Sequence, residues 1–213
     1  MHNDDHFIEI PFEHRHQCWF CEEPAGAHFT FPHQYHLIFD CSHPTLTLPS
    51  CDECYSAALR AKVNTIWQVK LFVKKYLLKK YKKDLAIGLN WTQQELANSG
   101  FEEGCFAGFQ KSAWFMYEVA KQRVNSKGWP LILNGMELEQ EDTVVSFLFD
   151  GVYYPSVEQA IEHYCDNFTL DRLFFRQLLA KLGTEQFSLA VRICRMHIIS
   201  TPDEKRQVLK EVT

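Results

Sequence analysis

Cys18-Trp19-Phe20-Cys21 and Cys51-Asp52-Glu53-Cys54, separated by 29 residues, are the stretches whose spacing decides the fold of the N-terminal region. Each Cys-x-x-Cys turn offers two thiolates to one ion. Two such turns close a tetrahedral four-sulfur shell, the geometry of structural Zn²⁺. The residues between them are enough for a hairpin, and the second pair runs directly into helical, lysine-rich sequence. We therefore expect Cys18, Cys21, Cys51 and Cys54 to hold one zinc ion. Its role would be structural, because four thiolates leave no coordination position for water. Iron suits the same donor set, with zinc the default, and Cys41-Ser42-His43 is placed to offer a substitute ligand.

Outward from the knuckles, 213 residues suffice for one large domain or two small ones. Apolar residues at 46% and aromatics at 14% exclude a disordered chain and supply a filled core. No apolar run approaches the roughly 20 residues of a membrane span. The opening Met1-His-Asn-Asp-Asp-His6 lacks the basic and apolar regions of a secretion signal. A cytoplasmic protein with reduced cysteines is expected, so Cys41, Cys105, Cys165 and Cys194 read as small buried hydrophobes.

Charge is unevenly distributed. Residues 1–59 carry nine carboxylates and one cation, Arg15. Residues 60–83 carry nine cations (Arg60, Lys62, Lys70, Lys74, Lys75, Lys79, Lys80, Lys82 and Lys83) and no carboxylate. The net charge of −5 does not itself point to nucleic acid, but a block of this kind can meet phosphates, with Tyr76 and Tyr81 interleaved. The other reading is a solvated helix end whose lysines complement the helix dipole.

The pattern predicts strands at His28–Pro32, Tyr35–Phe39 and Thr45–Leu48, then one long helix or two consecutive ones over 52–83. Thr92 with Glu95 forms a capping box for a short helix closed by Gly100. A helix over 105–125 ends before Gly128-Trp129-Pro130. Asn134-Gly135 and Asp150-Gly151 mark two hairpin turns. Ser156, Thr169 and Thr184 are expected to cap three helices, with a break at Gly183, and Thr201-Pro202 opens the last. The whole is α+β and mostly helical: a zinc module with a long basic helix at 1–84, then helices and short β-hairpins at 85–213.

Eight of ten histidines precede residue 44, and His33-Gln-Tyr-His36 falls between the two knuckles. Two knuckles flanking a histidine-bearing hairpin, the second opening a helix, resemble the zinc-stapled, treble-clef members of the HNH (ββα-metal) endonucleases. Leu48-Pro-Ser-Cys-Asp-Glu-Cys54 and Ala57-Ala-Leu-Arg-Ala-Lys62 carry the likeness, which spans residues 18–62. It implies that His33 or His36 would act as general base beside Mg²⁺ or Mn²⁺. The chain departs from the family pattern at the hairpin, where Pro32 and Tyr35 precede those histidines in place of an acid. It departs again at Tyr55, where the family has Asn. A degenerate module that binds without cutting is the expectation.

A second likeness lies in Phe149-Asp-Gly-Val-Tyr-Tyr-Pro-Ser-Val-Glu-Gln-Ala160 and the two helices to Gly183. It resembles the DNA-binding modules appended to intron-encoded nucleases. It implies that a recognition helix would present Arg172, Arg176 and Lys181 to DNA. Taken together, these readings predict a zinc-stabilised nucleic-acid-binding protein, for DNA before RNA. The alternatives are a metal-dependent HNH-type endonuclease and a protein-interaction or regulatory module. No membrane partner is expected.

Overall fold

The computed structural model describes residues 8–33, 41, 44–99, 108–139 and 146–212. Among these the chain is α+β and mostly helical. It divides into two compact units, one of residues 1–145 with 150–153 and the other of 146–149 with 154–213.

The first unit opens on β1 (Ala27–Phe31) and β2 (Leu46–Ser50), an antiparallel pair. Alternation puts Phe29 and Phe31 opposite Leu48 and Leu46 on a fully buried face. Thr30 and Thr47 face each other on the other side, with hydroxyls 3.0 Å apart. The strand expected at Tyr35–Phe39 lies outside the described residues.

Three helices follow: α1 (Asp52–Ala58) and α2 (Ile66–Lys80), the two consecutive helices that the pattern over 52–83 allows, and then α3 (Lys82–Asn90). The break between α1 and α2 has a local cause. Thr65 is extended and its hydroxyl accepts from the Gln68 amide at 3.2 Å, a cap that starts a new helix. Helix α4 (Gln93–Ala97) carries the expected capping box of Thr92 and Glu95. Gly100 lies outside the described residues.

Helix α5 (Phe109–Asn125) buries Tyr117, Ala120 and Val124. Residues 105–107 of its expected start lie outside the described residues. Helix α3 packs against α5 at Gly88, where an added Cβ would strike the Tyr117 ring. β3 (Ile132–Leu133) and β4 (Met136–Glu137) turn at Asn134-Gly135, both with positive φ, as a type I′ hairpin requires.

β5 (Phe147–Phe149) and β6 (Val152–Tyr154) form the hairpin at which the chain passes between units. The second unit then packs α6 (Val157–Phe168), α7 (Arg172–Leu182), α8 (Phe187–Met196) and α9 (Pro202–Glu211). Its core is aromatic: Phe187 lies within 6 Å of the rings of Phe147, Phe149, Tyr164 and Phe175.

Two caps differ from expectation here. Thr169 closes α6 in the left-handed region, and Asp171 caps α7 by accepting from the Leu173 and Phe174 amides. A carboxylate two residues on outcompetes the hydroxyl because it accepts both amides and is charged. Thr184 opens only a single 3-10 turn before α8, which has no side-chain cap.

Candidate metal centre

The knuckle at Cys18 is a tight turn in which the Cys21 and Glu22 amides donate to the Cys18 carbonyl. Glu22 takes a positive φ there. The Trp19 amide donates to Pro49 at 2.9 Å, which sets the first knuckle beside the end of β2. Cys51 is the N-cap of α1, and its Sγ accepts from the Cys54 amide at 3.5 Å. These turns bring the four sulfurs within 4.8 Å of one another. Among the described residues this is the one close group of three or more His, Cys, Asp or Glu side chains.

The sulfur positions fit a tetrahedral ion. A Zn–S bond of about 2.3 Å places sulfurs about 3.8 Å apart along each edge, and Cys21 and Cys51 lie at 3.7 Å. Cys18, Cys21 and Cys54 are buried. Without a cation, hydrogen bonds among the sulfurs hold the Cys18 and Cys51 thiols low and push Cys21 and Cys54 up. A divalent ion is what would let four thiolates share so small a space. The structure thus places the four sequence-predicted ligands together. Cys41 is not in the cluster, and His43 lies outside the described residues.

Arg123 sits against this cluster. Its Nη2 lies 3.6 Å from Cys21 Sγ, 3.9 Å from Cys51 Sγ and 2.7 Å from Glu53 Oε2. Its Nη1 donates to the Tyr81 hydroxyl, which in turn donates to Glu53 Oε2 at 2.7 Å. Lys80 Nζ reaches Glu53 Oε1 at 2.6 Å. Burial raises the Glu53 carboxyl, but Lys80, Tyr81 and Arg123 outweigh it and hold the group below its ordinary value. Burial likewise opposes the charge of Arg123, and the Cys21 sulfur and Glu53 more than restore it. No spacing in the sequence flags this set, because Arg123 is 102 residues from Cys21. The one available signal was an arginine flanking the apolar stripe of Tyr117, Ala120 and Val124.

The remaining candidates are scattered. His33 is half-buried and stands outside the sulfur cluster, and His36 lies outside the described residues. Within the lysine block, Lys80 is bound to Glu53, Arg60 lies over the Tyr76 ring at 5.0 Å, and Lys82 is half-buried. Lys70 Nζ lies 4.2 Å over the Trp19 ring and donates to the Lys127 carbonyl. Lys74 stands beside the Tyr153 ring. Lys62, Lys75, Lys79 and Lys83 are exposed and make no ion pair among the described residues. On α7, Arg172 pairs with Asp166 at 2.6 Å, Arg176 with Glu158, and Lys181 donates to the Val212 carbonyl at 3.3 Å.

Lys70 carries a pH dependence. Burial, then the Lys74 charge, lowers its ammonium to about 7. An unfolded lysine titrates near 10.4, so the unfolded chain binds the extra proton between those values and stability rises with pH across that window. Gly128 helps enclose the site: it has a positive φ, and a Cβ there would meet the Trp19 carbonyl and Lys70 Nζ. We expect the thermal midpoint of metal-loaded protein to rise between about pH 7 and 9, and Lys70→Met to flatten the rise. The scale is a few degrees, since about 1 kcal/mol moves Tm by about 2–4 °C at this chain length. Equal slopes in both proteins would refute it.

No protein-family model matches this chain, and no curated protein or solved structure matches it. Among the described residues no helix is long and apolar enough to cross a membrane.

Proposed function

We propose that the chain is a zinc-stabilised nucleic-acid-binding protein, of the HNH-like treble-clef kind in its first unit, in which the metal is structural and cuts nothing. The order of knuckle, hairpin, knuckle and helix supports the likeness. The observation that carries binding is the exposed face of α2 and α3. Phe72, Lys75 and Lys79 follow at helical spacing on α2, and Lys83 lies in the first turn of α3, all exposed, with no carboxylate between residues 60 and 83. With Lys62 they offer four cations, without an ion pair among the described residues, to phosphates and a ring on which a base can rest. Four phosphate contacts give a salt slope near −3.6, or about 100-fold weaker binding between 50 and 200 mM salt.

The test is a mobility shift on supercoiled plasmid and on single-stranded DNA and RNA, across salt, with and without Mg²⁺ or Mn²⁺. We expect a salt-sensitive shift without nicking. Lys75→Glu, Lys79→Glu and Lys83→Glu combined should weaken it at least about tenfold and flatten the slope by about 3, with zinc content unchanged. Absence of any salt-sensitive affinity in the zinc-loaded wild type would sink the reading. Nicking lost in His33→Ala or His36→Ala would replace it with the endonuclease.

A protein partner is the second reading, supported by two apolar hollows beside α4. One, of about 350 Å³, is lined by Ile87, Trp91, Leu96, Phe109 and Met116. The other, of about 590 Å³, is lined by Leu96, Trp114 and Phe115 among others. Trp91, Phe109, Phe115 and Met116 are exposed there. Stable co-purification with another protein, and no nucleic-acid affinity, would favour this reading.

A further inference from the structure

We propose that Arg123 is a positioning residue of the metal centre, whose guanidinium takes up part of the negative charge of a four-thiolate divalent ion and so makes metal affinity depend on the docking of α5. The inference rests on the zinc reading and goes beyond it. Four thiolates around a divalent ion carry a net charge of −2. A buried dianion needs a partner, because desolvating charge without one is costly. Arg123 is 8% exposed and is the cation whose donor nitrogen faces the sulfurs, at 3.6 Å from Cys21 and 3.9 Å from Cys51. The two sulfurs come from different knuckles, so one guanidinium ties both halves of the shell.

Glu53 and Tyr81 hold the fork in place. The carboxylate accepts from Nη2 at 2.7 Å, and Nη1 donates to the Tyr81 hydroxyl, whose ring lies 4.7 Å beneath the guanidinium carbon. Lys80 offsets the Glu53 charge from the solvent side. The arrangement is a planar, multi-donor one that an ammonium cannot reproduce. Partners of this kind tune metal sites, and their loss typically costs 10–100-fold in metal affinity.

A purely structural role would make Arg123 no more than a clamp between α5 and Glu53, and the two readings part in one experiment. Wild type, Arg123→Gln and Leu96→Ala, the last a buried side chain of α4 outside the metal centre, are each loaded with Zn²⁺ or Co²⁺. Zinc affinity is read by chelator competition, the thiolate-to-cobalt charge-transfer band by absorbance, and stability by thermal melting. We expect Arg123→Gln to weaken zinc at least tenfold and to shift the band, and Leu96→Ala to lower the melting point while holding affinity within threefold and leaving the band in place. Unchanged affinity and band in Arg123→Gln, or equal losses in both variants, overturn the proposal. If wild type binds no metal, the zinc reading itself has failed, which is a different result.

Should Arg123→Gln not fold, wild type loaded with a spin-active cadmium isotope carries the test. A through-hydrogen-bond coupling from cadmium to an Arg123 guanidinium proton supports the proposal. Slowly exchanging Arg123 protons that show none overturn it.

Discussion

Cys51→Ser is expected to remove the metal and unfold the first compact unit while leaving the second helical. Serine is a good N-cap, so it can replace the Cys51 sulfur in accepting from the Cys54 amide. The variant therefore keeps the cap of α1 and loses one ligand of the shell. Structural zinc sites contribute about 10–16 kcal/mol in small domains, which equals or exceeds the whole stability of most proteins at about 5–15 kcal/mol. Trp19 and Phe20 inside the first knuckle are buried with Phe29 and Leu48 of the hairpin, and the Phe20 ring meets that of Phe29 at 5.8 Å, so loosening the shell opens that core. All five tryptophans (Trp19, Trp67, Trp91, Trp114 and Trp129) belong to the first unit. Their emission reports on that unit alone, whereas far-ultraviolet circular dichroism reports on both. We expect about one zinc per chain in wild type and none in Cys51→Ser, with red-shifted emission and part of the helical signal retained. A strong chelator acting on wild type should reproduce the same state. A Cys51→Ser protein that keeps one zinc and native emission would remove the sulfur cluster from its structural role.

What was legible in the sequence was whatever local chemistry decides. The two Cys-x-x-Cys turns fix their own geometry, and the four sulfurs meet as their spacing requires. Asn134-Gly135 and Asp150-Gly151 supply the paired positive φ values that their turns demand. Thr92 with Glu95 and Thr201 with Glu204 close capping boxes within four residues. Errors arose where two local signals competed. Thr169 and Asp171 both offer an acceptor, and the carboxylate reaches two amides. Thr65 decides between the one long helix and the two consecutive ones that the pattern over 52–83 allows, because its hydroxyl starts a new helix. Nothing local could have found Arg123, because its partners Glu53 and Tyr81 are distant in sequence and meet it only through the packing of α2, α3 and α5. The fate of the lysine block was equally hidden. Which lysines turn inward depends on where Trp19, Tyr153 and Glu53 end up.

Phe187→Ala is expected to unfold the second unit and leave the metal centre intact. Phe187 is 1% exposed and its ring meets Phe149 at 4.6 Å, Phe147 at 5.0 Å, Phe175 at 5.1 Å and Tyr164 at 5.6 Å. It is the side chain common to the hairpin strand β5 and to helices α6, α7 and α8. Truncating a buried phenylalanine costs about 3–5 kcal/mol, the lost transfer energy plus the cavity left behind. Domains of this size rarely hold more than about 3–5 kcal/mol in a single core, so one substitution is enough to exhaust the unit. The exposed Leu173 on α7 gives the control, since Leu173→Ala removes a side chain that is 64% exposed and should move stability by less than about 0.5 kcal/mol. In Phe187→Ala the helical signal should fall at a much lower temperature than in wild type, with zinc content and tryptophan emission unchanged. If emission and helix melt together in this variant, the two units fold as one, and the boundary at residues 146–154 marks a change in packing and not in stability.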